Sequence, residues 1–176
     1  MPTSLVMTFI GRDRPGLVRA IASRVAAHGA AWLESRLARL AGHFAGVVRV
    51  EAAAEKIEAL SAALRELERE GLRVTIEAGA STEPEKRASV KLELLCLDRP
   101  GIVREVTETI SSLGVNIEEF ESDLVSAAFT GEPMFKATAR LYAPATLGLD
   151  ELRRRLEKLA GEMMMADISL SDEDHL

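Results

Sequence analysis

Cysteine occurs once in the 176 residues, at Cys96, so an internal disulfide is excluded and a reducing compartment, the cytoplasm, is expected. No signal-peptide pattern and no apolar run of membrane-spanning length argues otherwise, and no membrane is expected as a partner. Aromatic residues are almost as scarce, with one Trp, one Tyr and five Phe, which leaves the cores to aliphatic side chains. Basic charge is in deficit, because 22 Lys and Arg against 28 Asp and Glu give a net charge of −6. Phosphate neutralisation supplies most of non-specific nucleic-acid affinity, so that balance argues against nucleic acid as a direct partner. His28, His43 and His175 are scattered, with no Cys or His at metal-ligand spacing, and neither a metal nor a cofactor is expected. Gly-rich phosphate loops, serine elbows and zinc-binding helix motifs are missing as well.

What the chain does have is a phrase said twice. Asp13-Arg14-Pro15-Gly16-Leu17-Val18-Arg19 returns as Asp98-Arg99-Pro100-Gly101-Ile102-Val103-Arg104, 85 residues later (98 − 13), with Leu17 against Ile102 as the single change. That period is too long for a solenoid and suits one small domain, so two copies of one fold are implied.

Apolar and β-branched residues make strands of Ser4–Ile10 and Val90–Leu95. After each repeated loop, Leu17, Ala20, Ile21, Val25 and His28, and then Ile102, Val106, Ile110 and Leu113, fall at helical spacing, closed by Gly29 and Gly114 as left-handed caps. Second strands at Ala31–Leu40 and Asn116–Val125 lead to third strands at Phe44–Glu51 and Phe135–Tyr142. The offset rises there from 85 to 91 (135 − 44), which puts six extra residues around Ser126–Pro133, in a surface loop. Ile57, Leu60, Leu64 and Leu67 mark a second helix, repeated by Leu149, Leu152, Leu156 and Leu159 at an offset of 92, and that offset carried on sets fourth strands at Leu72–Ala78 and Met164–Leu170. The reading is α+β: two ferredoxin-like βαββαβ domains with antiparallel sheets, at 1–79 and 89–171, with a polar linker at 80–88 and a frayed tail from Ser171 on. The face of each sheet away from its helices is expected to need cover, through edge-to-edge or sheet-on-sheet pairing of the halves. Met163, Met164 and Met165 would suit such a contact or simply fill a core.

Chemically, the repeated loop places Pro15 and Pro100 where a first helical turn tolerates a missing N–H, and Asp13 and Asp98 where a carboxylate can cap orphan amides. Gly16 and Gly101 let another molecule approach the backbone, and free amides at a helix start attract a carboxylate. Arg14 or Arg99 could polarise an anion, although no general base accompanies them. Cys96 reads as a buried small hydrophobe, and Arg153, Arg154 and Arg155 as surface partners of Glu151 and Glu157.

The loop motif, the Gly114-Val115-Asn116-Ile117 segment after the first helix of the second half, and the βαββαβ order resemble the ACT domain family in two copies. The run Glu34-Ser35-Arg36-Leu37-Ala38 is similar, more narrowly, to the glycine cleavage system transcriptional repressor family. The resemblance implies a non-catalytic, oligomeric regulator that binds a small amino acid or related metabolite where ACT units meet and signals through a protein partner. It implies ligand contacts from Asp98, Arg99, Pro100, Gly101, Ile102 and Val103 with Asn116 and Ile117, and from Asp13, Arg14, Pro15, Gly16, Leu17 and Val18. In the first half Ala31 and Trp32 replace Asn116 and Ile117, and alanine has no side-chain hydrogen bond to offer, so the second loop is the expected site. A dimerising scaffold without a small ligand and a small hydrolase or transferase are the alternatives.

Overall fold

A computed structural model describes residues 2–79, 88–128, 130–144, 146–162 and 165–172. The chain divides into two compact units, Met1–Glu83 and Pro84–Leu176. The first runs β1 (Pro2–Arg12), α1 (Leu17–Ala27), β2 (Ala31–Leu40), β3 (His43–Ala53), α2 (Ile57–Arg65), a 3₁₀ segment (Glu66–Glu70) and β4 (Leu72–Ala78). The second runs β5 (Ala88–Leu97), α3 (Ile102–Ser112), β6 (Asn116–Ser126), β7 (Pro133–Ala143), α4 (Leu149–Glu162) and β8 (Met165–Asp172). Each sheet is antiparallel, ordered β2-β3-β1-β4 and β6-β7-β5-β8, which is the expected ferredoxin-like arrangement twice over.

Alternation along the central strand sets each core. Leu5, Met7 and Phe9 of β1 are buried with Leu17, Ile21 and Val25 of α1 and with Leu60 and Leu64 of α2. Val90, Leu92 and Leu94 repeat this with Ile102, Val106 and Ile110 of α3 and with Leu152 and Leu156 of α4. Each such side chain contributes about 1.5–3 kcal/mol by leaving water, and both cores are almost wholly aliphatic, as the shortage of aromatics requires. The caps at Gly29 (φ 63°) and Gly114 (φ 70°) are left-handed. Ala30 N–H bonds to the Val25 carbonyl at 3.1 Å and Gly29 N–H to the Ala26 carbonyl at 2.9 Å, which closes α1 in a Schellman motif.

The copies agree beyond sequence identity. Both second strands bulge at the same place, between Trp32 and Glu34 and between Ile117 and Glu119. Just past the bulge the same ion pair recurs, Arg49 to Glu34 and Arg140 to Glu119, each at 3.2 Å.

They differ at four places. Ala41 (φ 48°) and Gly42 (φ 76°) close β2–β3 in a two-residue turn, whereas β6–β7 gains the pair Ser126–Pro133 and a loop over 127–132, which together hold the six extra residues. Gly11 of β1 corresponds to Cys96 of β5, and the β5–β8 ladder shifts register between Leu95 and Cys96 where the β1–β4 ladder is regular. The fourth strand departs from the constant offset: Leu5 faces Ala78 and Val90 faces Asp172, a spacing of 94 (172 − 78) rather than 92, and Ser171 and Asp172 belong to β8 rather than to a frayed tail. The face of the second sheet away from its helices is the more heavily charged, with Lys91, Glu93, Lys136 and Arg140 beside Glu119, Glu121 and Asp123. Met163 and Met164 lie outside the described residues.

Candidate ligand site

Both repeated loops take one backbone path, and it is not the expected one. The residue before each helix is the glycine, left-handed at φ 92°, ψ 0° for Gly16 and φ 90°, ψ −4° for Gly101, and no side chain caps either helix start. Asp13 and Asp98 are therefore not helix caps, and Pro15 and Pro100 stand before the glycine, outside the first turn. Proline holds the preceding arginine extended, and glycine alone takes the positive φ that swings the chain into the helix. The Asp13 and Asp98 amides are spent on the neighbouring hairpin, donating to the Gly42 carbonyl at 3.0 Å and the Pro133 carbonyl at 3.1 Å.

The loop side chains are also engaged. Asp13 Oδ2 pairs with Arg39 Nε at 2.8 Å. Arg14 reaches the Glu70 carboxylate at 3.3 Å, a group that Arg24 grips at 2.5 Å and whose pKa falls mainly through that second bond. Arg99 instead makes a bidentate pair with Glu105 in the first turn of α3, and that hydrogen bonding lowers the Glu105 pKa and raises that of Arg99. An arginine held this way is not the free anion-polarising group that an enzyme reading needs. Leu17 and Ile102 are core residues at 3% exposure, while Val18 and Val103 stand out at 44% and 42%. The exposed backbone of Pro15–Gly16 and Pro100–Gly101, with uncapped amides behind it, is what these loops offer a ligand.

The structure does not bring Asn116 to the Asp98–Val103 loop of its own unit. Asn116 faces Tyr142, which faces Ser89 near the start of β5, whereas Asp98 follows the end of that strand. Nine residues (98 − 89) of extended chain separate the two ends by about 30 Å. Asn116 and Ile117 belong instead to an open groove of about 400 Å3 between α3 and the start of β6, lined also by Thr107, Glu108, Ile110, Ser111 and Val115. The matching first-half positions are Ala22, Ser23, Val25, Ala26, Ala30, Ala31 and Trp32. Polar groups at four places in the second unit thus answer to a single hydroxyl in the first, where the indole of Trp32 is half-buried against the core.

The ACT domain family model matches residues 3–78. This unit is an ACT domain. The second unit repeats its strand order, bulge and loop. The chain is 25% identical over 161 residues to the glycine cleavage system transcriptional repressor of Escherichia coli (strain K12), covering 90% of this chain and 85% of that one, and it matches the protein of the same description from Shigella flexneri equally. Among solved structures, an unknown protein from Galdieria sulphuraria superposes with a TM-score of 0.87 at 27% identity, over 99% of this chain and 100% of that one. A putative glycine cleavage system transcriptional repressor superposes with a TM-score of 0.76 at 16% identity over 99% of both, a likeness of fold.

Sequence reasoning missed the partners of the repeated loops. Glu105 lies six residues beyond Arg99 with Ala20 as its counterpart, so the repeat itself conceals it, and Glu70 approaches Arg14 only through the tertiary fold. Thr107, Glu108 and Ser111 of the groove lie on the side of α3 away from its apolar stripe, readable from the helical period only as surface. Cys96 is fully buried with its thiol directed to the Phe135 carbonyl at 3.8 Å, and burial raises its pKa. Arg154 and Arg155 both pair with Glu151, at 2.7 and 2.9 Å. Among the described residues no helix is long and apolar enough to cross a membrane, and no group of three His, Cys, Asp or Glu could hold a metal.

Proposed function

We propose that the chain is a tandem ACT protein, a non-catalytic cytoplasmic regulator that binds a small amino acid or related metabolite and passes that state to a protein partner, in the control of glycine cleavage gene expression. The observation that carries the reading is the groove at Asn116, polar in the second unit where the first has mostly alanine. Asn116 can both donate and accept, Glu108 accepts from an ammonium group, and Ile110, Val115 and Ile117 give an apolar floor. A ligand that touches this groove and also the amides of an Asp-Arg-Pro-Gly loop needs the loop from another ACT fold, and a second copy of the chain is the proposed source. Ligand then favours the arrangement that completes its site, by its difference in affinity for the two arrangements.

Melting temperatures across a panel of amino acids at millimolar concentration test this. A ligand at a hundred times its Kd stabilises the native state by about 2.7 kcal/mol, and Asn116→Ala is expected to abolish the shift. No shift with any amino acid, or an undiminished one in Asn116→Ala, defeats the assignment. The scaffold reading draws support from the loop side chains, since Asp13, Arg14 and Arg99 are already paired within the chain. It predicts the flat panel.

A further inference from the structure

The net charge of −6 hides an imbalance between the units. Residues 1–83 carry 11 Lys and Arg against 10 Asp and Glu, and residues 84–176 carry 11 against 18, so the units stand at +1 and −7. The difference is concentrated at one corner, on the sheet face away from the helices at the end where the repeated loop leaves the strand. In the first unit the last rows of that face read Leu40, His43 and Arg12, then Ala38, Ala45, Ile10 and Arg73, then Arg36, Val47 and Thr8. No carboxylate occurs in these rows. Arg12, His43 and Arg73 are exposed, and neither Arg12 nor Arg73 forms an ion pair among the described residues. The corresponding rows of β5, β6 and β7 read Val125, Met134 and Leu97, then Asp123, Lys136 and Leu95, then Glu121, Thr138 and Glu93. Three carboxylates and one lysine stand there. Glu93, Glu121 and Asp123 are exposed.

Both corners also leave apolar side chains uncovered. Ile10, Leu40 and Val47 are 42%, 78% and 45% exposed, and Leu97 and Val125 are 45% and 37% exposed. Lone exposed apolar residues mean little, but a cluster ringed by one sign of charge has the make-up of a docking surface.

We propose that the basic corner of the first unit docks onto the acidic corner of the second unit in another copy of the chain. Opposite charge at equivalent positions of one fold gives the two corners matched outlines with complementary potentials, which is what steers and registers an interface. Each copy carries one corner of each kind, and the proposed assembly is the closed dimer in which a two-fold axis makes the contact twice. A free polyanion fits less well, because beyond the corner it meets a chain of net charge −6. The contact uses the sheet face rather than the groove beside α3, so it stands or falls apart from the ligand site.

Sedimentation of the full chain decides the matter, with circular dichroism confirming that each variant is folded. The parent is expected to dimerise at about 20 mM salt and to weaken at least about tenfold at about 500 mM. The double variants Arg12→Glu with Arg73→Glu, and Glu121→Arg with Asp123→Arg, are each expected to be monomeric alone. Mixed in equal amounts they should regain the dimer, since in the mixed pair both contacts again join opposite charges. A parent that stays monomeric, a dimer indifferent to salt or to either reversal, or a mixture that fails to associate overturns the proposal. So does an acidic oligonucleotide or peptide that binds the corner while the chain stays monomeric.

Discussion

Arg99 and Glu105 are joined by two parallel hydrogen bonds, Nη1 to Oε1 at 2.9 Å and Nη2 to Oε2 at 2.6 Å, tying the second loop to the first turn of the helix it precedes. Alanine at position 20 denies Arg14 the same partner, and Arg14 turns to Glu70 at the end of the 3₁₀ segment instead. One loop is braced within its own βα unit, and the other across to the second helix.

That bracing has a pH signature. Glu105 has its pKa lowered, chiefly by the Arg99 hydrogen bonds, so its folded state binds a proton more weakly than the unfolded chain does. Its contribution is present above the unfolded carboxylate pKa and is lost as pH falls through the lower folded value. Glu105→Gln is expected to lower the melting temperature near neutrality and to converge on the parent in acid, so that its acid-side fall is shallower. An acid limb identical to the parent's refutes the assignment.

Gly11 is a second point of sharp dependence. A Cβ there would lie 2.5 Å from the Gly71 carbonyl and 3.1 Å from Leu72 Cδ1, so β1 and the turn into β4 meet backbone to backbone. Gly11→Ala is expected to cost about 1–3 kcal/mol in urea unfolding. A loss under about 0.5 kcal/mol, the scatter of an ordinary surface change, counts against this account.

The fold was legible because its information is local and stated twice: the 3.6 and 2.0 periodicities, two cap glycines and an offset that changes only at loops and the fourth strand place every element to within a few residues. The site was legible only where chemistry follows chain order. Gly16 and Gly101 fix the loop path from the backbone alone, but Arg14, Asp13 and Arg99 find their partners through packing or a non-repeated residue. Asn116 sits two residues after a cap, so its strand position could be foreseen, whereas its distance from Asp98 is set by the antiparallel sheet as a whole. The β5–β8 shift falls where Cys96 stands in place of Gly11, a substitution that no period encodes.

At the β2–β3 turn, Ala41 holds φ 48°, a left-handed conformation unfavourable to a residue with a Cβ. Asn tolerates it better and suits the first position of such a turn before Gly42. Ala41→Asn is expected to stabilise the chain by about 0.5–1 kcal/mol, seen as a higher denaturation midpoint with an unchanged m-value. A lower midpoint disproves the turn geometry.

Burial pushes the Cys96 pKa up, with no opposing contact strong enough to reverse it. The thiol is fully buried on the central strand, so native protein near pH 8 should react with a thiol reagent far more slowly than protein in denaturant. The raised folded pKa also means that stability is complete below the unfolded thiol pKa and declines as pH rises toward the folded one. Equal labelling rates in the native and unfolded states contradict a buried, structural Cys96.

The pair Trp32 and Ile117 offers the most direct separation of ligand binding from folding. Both residues sit at the bulge of a second strand, both are half-buried against their cores, and they differ in volume by most of an indole. Ile117→Trp writes the first unit's residue into the groove of the second, where its larger side chain competes with a ligand for the space beside Asn116. The variant is expected to fold as the parent does, because the same residue is accommodated at the same place in the sister unit, and to lose the melting shift given by amino acid. Trp32→Ile should do the reverse, costing about 1–3 kcal/mol through lost burial while leaving the ligand response intact. If Ile117→Trp retains the full shift, the ligand does not occupy this groove.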